Sequence, residues 1–247
     1  MADWLTGKVT QKRQWTERLF SLRFTAPINS FKAGQFVRVA LEIDGEIVAR
    51  PYSLVSSPAD AENEIFFNIV PDGPLTPKLA ELSPGDEIKV AGKPSGLLTV
   101  DQVPIARHLW MLATGTGVGP FISILKSDDV WQRFEKIVLV YSVRLSSELA
   151  YQDDLAGVNR LYRQQFSFIP LITREKQQGA INRRVTDAIV SGDLEQQAGI
   201  TISADDSHVM MCGNSAMIAD VMALLEGRNM QKHLRREPGH ITIEKYH

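Results

Sequence analysis

His108-Leu109-Trp110-Met111-Leu112-Ala113 is a largely apolar run that ends in the glycine-rich turn Thr114-Gly115-Thr116-Gly117-Val118-Gly119, and Pro120 then opens a helical stretch to Lys126. An apolar run too short for a helix, a turn free to adopt unusual φ, and a helix start together predict a buried strand feeding a helix. The same alternation continues downstream. Ile137–Val143, Phe166–Thr173 and His208–Cys212 read as buried strands, with helical stretches around Ser147–Arg163, Asp187–Ser191 and Ser215–Glu226. That order predicts a parallel sheet covered on both faces. Upstream the grain differs. Leu19–Thr25, Gln35–Ile43, Pro51–Val55, Glu64–Val70 and Glu87–Val90 are short β-rich runs separated by turn signals such as Asp44-Gly45, Pro71-Asp72-Gly73 and Pro84-Gly85-Asp86. Many short strands and few helices predict a small antiparallel β-barrel. The fold class expected is two-domain, with an N-terminal antiparallel barrel in residues 1–101 and an α/β parallel-sheet domain in residues 102–247.

The chain has 247 residues, 27 basic and 29 acidic, a net charge of −2 and a single cysteine. The length suffices for one large domain or two small ones. The near-neutral charge argues against nucleic acid or an anionic membrane as partner. One cysteine excludes an internal disulfide, a four-cysteine iron–sulfur cluster and a Cys-rich zinc site, and no metal site is expected. The start lacks the pattern of a secretion signal, and no apolar run approaches the ~20 residues that cross a bilayer. A cytoplasmic protein is the expectation.

Five segments carry chemistry. Arg50-Pro51-Tyr52-Ser53 opens a barrel strand. Alternation puts Arg50 and Tyr52 on one face and Ser53 on the other, which suits a ligand with both a phosphate and a flat ring; a solvated arginine and a half-buried tyrosine on an ordinary strand fit the same residues. Gly73-Pro74-Leu75-Thr76-Pro77 reads as a short helix start with Thr76 as N-cap, either an anion site or a capped surface helix. The turn containing Thr116 lets backbone approach a ligand, although its spacing differs from G-x-G-x-x-G. Arg144 follows the strand ending at Val143, Arg174 follows the strand ending at Thr173, and Arg184 lies within ten residues. Arginines at the carboxyl edge of such a sheet suit a 2′-phosphate and favour NADP over NAD; solvated loop arginines are the alternative. Met211-Cys212-Gly213-Asn214-Ser215 is a further strand, turn and helix start, with no histidine base to make Cys212 a nucleophile. Glu244-Lys245-Tyr246-His247 ends the chain, where fraying is the default.

In this order and spacing the five segments resemble the ferredoxin/flavodoxin–NADP+ reductase family, in its bacterial short form, across essentially the whole chain. The resemblance implies that the barrel binds FAD and the second domain NADP(H). In that reading Arg50 holds the FAD pyrophosphate beside Pro51, Tyr52 stacks on the flavin, and Ser53 hydrogen-bonds near its reactive nitrogen. Phe67, Asn68 and Ile69 line the flavin through backbone, and Pro74, Leu75 and Thr76 bring amides to the pyrophosphate. Thr116 meets the nicotinamide side of the cleft. Val143, Arg144, Thr173, Arg174 and Arg184 hold the 2′-phosphoadenosine, with Asn214 at the same mouth. Cys212 and Glu244 stand near the hydride-transfer point, so the catalytic set is Tyr52, Ser53, Cys212, Glu244 and Tyr246. Tyr246 covers the second flavin face, and His247 replaces a terminal tryptophan frequent in such chains. The resemblance implies electron transfer from NADPH through FAD to a separate ferredoxin or flavodoxin, in a monomer. Lys232-His233-Leu234-Arg235-Arg236 is a possible basic rim for an acidic carrier, or a solvated helix face. An NAD(P)H-dependent reductase of free flavin or of an oxygenase, and a flavin-bearing module that only docks a redox partner, are the alternatives.

Overall fold

In the computed structural model, which describes residues 3–246, eleven strands form two sheets. The first is antiparallel and built from β1 (Trp4–Gln14), β2 (Leu19–Thr25), β3 (Phe36–Ile43), β4 (Glu46–Ser53), β5 (Asn63–Asn68) and β6 (Glu87–Ala91). Its order is β4-β3-β6-β1-β2-β5. It curls until its edge strands meet: Leu54 and Ile65 form an antiparallel bridge, and the Val55 amide donates to the Glu64 carbonyl at 2.8 Å. A barrel core that includes Leu22, Phe24, Val37, Ile65 and Ile88 fills the inside.

Two strand expectations need correction. β4 begins at Glu46, not Pro51, because the Asp44-Gly45 turn is a tight hairpin with φ of 52° and 81°, so pairing with β3 resumes at once from Ile43–Glu46. β1 was not expected at all. Only Gly7 and Val9 of its eleven residues are buried, so it shows little apolar periodicity. It exists because β2 and β6 pair with it on either side, an example of tertiary context overriding local signal.

A short helix, α1 (Thr76–Glu81), lies between β5 and β6. Residues 92–107 link to the second sheet, which holds β7 (His108–Thr114), β8 (Lys136–Val143), β9 (Phe166–Ile172), β10 (Ser207–Asn214) and β11 (Ile241–Tyr246). All its pairings are parallel, in the order β11-β10-β7-β8-β9. Six helices cover the two faces: α2 (Gly119–Leu125), α3 (Asp128–Arg133), α4 (Gln152–Leu161), α5 (Val185–Val190), α6 (Asp193–Ala198) and α7 (Ser215–Glu226). β7 and β10 are buried almost throughout, which explains why they read as continuous apolar runs rather than alternating ones. The stretch 147–163 divides into a 3₁₀ turn at Ser146–Glu148 and α4, and α3, α6 and β11 were not anticipated. The apolar layer on one face of this sheet continues into the barrel through Leu19, Val55 and Phe66, so the two sheets share packing. Among the described residues no helix is long and apolar enough to cross a membrane.

β11 is tied down at its start as well as along its length. His208 of β10 is 1% exposed, and its Nε2 shares a hydrogen bond with Thr242 Oγ1 at 2.8 Å. Burial, reinforced by His233, His240 and Arg133, lowers its pKa from 6.5 to about 3. The unfolded chain therefore takes up a proton near pH 6.5 that the folded chain refuses until about pH 3. This contribution to stability is constant above pH 6.5 and falls as pH drops below it, by at most about 1.4 kcal/mol per unit. In urea titrations between about pH 7.5 and 4.5, wild type is expected to lose stability relative to His208→Asn. A pH-independent difference would contradict the assignment.

Candidate active site where the two sheets meet

After β7 the chain turns to β8 and β9 on one side, and later returns to β10 and β11 on the other. The carboxyl ends of β7 and β10 are thus the point where the winding reverses, the crevice in which open α/β sheets bind ligands. The turn Gly115–Val118 occupies it as a 3₁₀ segment leading into α2. A Cβ on Gly117 would lie 2.4 Å from the Cys212 carbonyl oxygen, so only glycine lets this turn press against β10. Gly213 has φ of +129°, and its missing side chain admits Thr114, whose Oγ1 accepts the Asn214 amide at 2.8 Å. Gly115, at φ +52°, faces open space. The arrangement is a close seam below and an open cradle above.

Across this seam the barrel contributes Ser53. Its Oγ donates to Glu244 Oε1 at 2.9 Å and shares a hydrogen bond with the Tyr246 hydroxyl at 2.6 Å. Register explains the convergence: Cys212 pairs with Glu244 and Asn214 with Tyr246, so β11 carries both side chains up beside the end of β10. Burial raises the Glu244 carboxyl, with the Ser53 hydrogen bond opposing. Burial also raises the Cys212 thiol, and the Glu244 charge adds to the effect. Tyr246 is raised for the same reasons, by burial and then by Cys212 and Glu244. Four of the five expected catalytic side chains, Ser53, Cys212, Glu244 and Tyr246, therefore form one buried cluster. Cys212 is buried and unactivated. The tail does not fray: β11 runs to Tyr246, and the Ser215 hydroxyl donates to the Tyr246 carbonyl at 3.2 Å. His247 lies outside the described residues.

Tyr52, the fifth, is half-buried on β4, two residues before Leu54 of the Leu54–Ile65 bridge, and faces Phe67 of β5. Their rings meet edge to face at 6.1 Å. Burial raises the Tyr52 hydroxyl, with Arg50 opposing. Alternation holds, since Arg50 is exposed and Ser53 buried. The Arg50 guanidinium bonds only the neighbouring Ala49 carbonyl and has no carboxylate partner among the described residues. Pro51 and Asn68 are exposed, Ile69 is half-buried, and the Phe67 side chain fills the barrel core, leaving only its backbone at the edge.

The expectation that Thr76 caps a helix is corrected. Thr76 is the first helical residue, and Leu75 stands at the cap without a side-chain bond. The Thr76 hydroxyl is committed elsewhere: it accepts the Val70 amide at 2.8 Å and so pins the turn. Pro74 has no N–H to offer, but among the described residues the backbone N–H groups of Leu75 and Thr76 donate to no backbone carbonyl. An exposed arginine, two unspent amides and a half-buried ring fit a flavin dinucleotide.

Arg144, Arg174 and Arg184 are all exposed at the carboxyl edge, and none has a carboxylate partner among the described residues, whereas adjacent Arg183 pairs with Asp193 at 3.3 Å. The Arg174 amide donates to the Arg144 carbonyl at 2.9 Å, and the Thr173 amide to the Val143 carbonyl at 3.0 Å, so the first two arginines are neighbours in backbone. Thr116 is half-buried in the turn. Asn214 is present at the mouth, but its side chain caps α7 by accepting the Ala216 and Met217 amides, so it has little left for a ligand. Lys232–Arg236 is not helical. It forms a turn that precedes β11, at the amino edge of the sheet. Six strand residues at about 3.3 Å each separate it from the Tyr246 end, so it does not rim this site. Glu64 and Tyr151, which join barrel to second domain, carried no sequence signal.

Residues 7–99 match the model of an oxidoreductase FAD-binding domain, and residues 111–223 that of an oxidoreductase NAD-binding domain. The chain is 45% identical over 247 residues to a flavodoxin/ferredoxin–NADP reductase of Escherichia coli (strain K12), covering 100% of both. It is 38% identical over 258 residues to a ferredoxin–NADP reductase of Pseudomonas aeruginosa, covering 99% of this chain and 98% of the other. A crystal structure of a ferredoxin NADP+ reductase from Neisseria gonorrhoeae with bound FAD and NADP superposes with a TM-score of 0.94 at 30% identity, covering 99% of each chain. With a curled antiparallel sheet and a parallel sheet meeting at Ser53, Glu244 and Tyr246, this chain belongs to the flavodoxin/ferredoxin–NADP reductase family and is an FAD- and NADP-binding oxidoreductase.

Proposed function

We propose that this protein passes electrons between NADPH and a ferredoxin or flavodoxin, and that the seam just described is where it does so. The observation that carries the reading is the placement of Ser53 of the barrel in hydrogen-bond contact with Glu244 and Tyr246 of the second domain, at the winding reversal of the parallel sheet. Bound FAD supplies the conversion of a two-electron hydride into single-electron transfers. The residues of the chain do the rest. Arg50 neutralises the pyrophosphate, with the Leu75 and Thr76 amides beside it. Tyr52 gives the ring a hydrophobic wall, and Phe67, Asn68 and Ile69 line it with backbone. Thr116 and the open face of the Gly115 turn receive the nicotinamide arm, while Arg144, Arg174 and Arg184, beside Val143 and Thr173, take the 2′-phosphoadenosine. Glu244 accepts the Ser53 hydroxyl beside the flavin, and the buried Cys212 thiol serves as a neutral wall. Tyr246 occupies the position that the nicotinamide must enter. We place the division between the domains at residue 101, in the linking segment, and the protein in the cytoplasm as a monomer.

Stopped-flow mixing tests the reading. NADPH is expected to bleach the flavin at least about tenfold faster than NADH at equal low concentration, since one charge-assisted contact is worth that much. Equal rates would remove the phosphate assignment. Deleting Tyr246 and His247 is expected to tighten nicotinamide binding, visible as a stronger long-wavelength charge-transfer band with NADP+. An unchanged band would refute the covering role of Tyr246.

A further inference from the structure

Among the described residues three non-glycine residues have left-handed backbone: Asp44, Asn229 and Tyr151. Asp and Asn tolerate that region through local hydrogen bonds, but tyrosine does not, so its surroundings must hold it there. Tyr151, at φ 58° and ψ 25°, immediately precedes α4. Its ring leaves the second domain and enters the barrel wall, edge-on to Phe66 at 5.2 Å and tilted against Trp15 at 4.7 Å. At its tip the hydroxyl donates to Glu64 Oε1 at 2.7 Å. Glu64 is itself buried, and its other oxygen accepts Arg23 Nε at 3.1 Å. Burial and the Glu64 charge keep Tyr151 protonated, so the donor is permanent.

Behind Tyr151 the chain is continuous with the coenzyme side. The Glu148 carboxylate accepts the Arg144 amide at 2.8 Å and the Leu145 amide at 3.2 Å, and the Ala150 amide returns to the Glu148 carbonyl at 2.9 Å. Glu175 accepts the Ser146 amide, linking the Arg174 loop to the same unit. Residues 144–151 are thus a braced segment with Arg144 at one end and a barrel-docked tyrosine at the other. A second crossing nearby, Ser123 Oγ to the Ser56 carbonyl at 2.6 Å, meets the same corner, because the Ser56 hydroxyl accepts the Glu64 amide.

We propose that the Tyr151 hydroxyl on Glu64 is a positioning contact that sets the separation between the coenzyme-phosphate arginines and the flavin half of the site, and so the reach of the nicotinamide to the flavin. The proposal rests on the assignment of Arg144 and Arg174 to the 2′-phosphate. A displacement near 1 Å is enough to slow a transfer that depends on near-contact geometry. Because the arginine loop is braced within its own domain, loss of the contact misplaces the bound coenzyme without loosening its phosphate.

Tyr151→Phe keeps the ring and removes only the hydroxyl. It is expected to retain flavin and to bind 2′-phospho-AMP within about twofold of wild type, while single-turnover flavin reduction at saturating NADPH slows by about tenfold. The Glu64 and Leu155 amides, one on each side of the contact, are expected to exchange hydrogen faster. Glu64→Gln still offers an oxygen to Tyr151 and is expected to stay near the wild-type rate. Combining it with Tyr151→Phe, which leaves no unpaired carboxylate, gives the same slow rate as Tyr151→Phe alone. Wild-type reduction and exchange in Tyr151→Phe, or equal impairment in Glu64→Gln, would overturn the proposal. Arg144→Ala with undiminished 2′-phospho-AMP binding would instead overturn the arginine assignment, and is read separately.

Discussion

Replacing both Arg144 and Arg174 with alanine is expected to raise the KM for NADPH about 100-fold while leaving that for NADH within about threefold. The size follows from exposure. Both guanidiniums are solvated, so each contact with a dianionic phosphate is taken at the low end for a charge-assisted hydrogen bond, about 1.4 kcal/mol or tenfold. Among the described residues neither arginine has a competing carboxylate to release, so nothing there offsets the loss. NADH lacks the phosphate and does not feel the change. Steady-state kinetics with both coenzymes at two salt concentrations checks this. The NADPH penalty should shrink as salt rises, and an equal penalty for both coenzymes would assign the arginines another role.

Gly117→Ala is expected to lower the unfolding free energy by about 3 kcal/mol, the upper range for forced overpacking. Its Cβ would stand 2.4 Å from the Cys212 oxygen, 2.6 Å from the Cys212 carbon and 2.9 Å from the Gly213 Cα. All three are backbone atoms of a strand paired on both sides, so no rotamer can yield. Gly115→Ala is the control: nothing lies within 4 Å, but φ is +52°, and about 1 kcal/mol of left-handed strain is the expected cost. Urea denaturation monitored by far-UV circular dichroism separates the two. Equal losses would mean that the turn does not press on β10 as described.

Legibility in the sequence followed burial. β7, β8, β9 and β10 were readable because a parallel strand covered on both faces has no room for polar side chains, and the bounds of α7 agree with the apolar stretch Ser215–Glu226, although the capping role of Asn214 was not readable. β1 and β11 were not readable. Each is a strand because of its neighbours, and only two residues of β1 are buried. Arg50, Tyr52 and Ser53 could be selected from alternation within one strand. That Thr76 spends its hydroxyl on Val70 could not be foreseen, since two acceptor roles were open to it and the turn decided between them.

The order of apolar runs, the glycine turns and the positions of Arg144, Arg174 and Arg184 just past apolar runs are properties of short windows, governed by local sterics and burial, and the sequence alone determined them. The meeting of Ser53 with Glu244 and Tyr246, 191 and 193 residues away, was decided only by tertiary structure, as was the docking of Tyr151 on Glu64 across 87. Contacts of that span depend on the curl of one sheet and the winding order of the other. Those are set by the packing of the whole chain, and no window of sequence contains them.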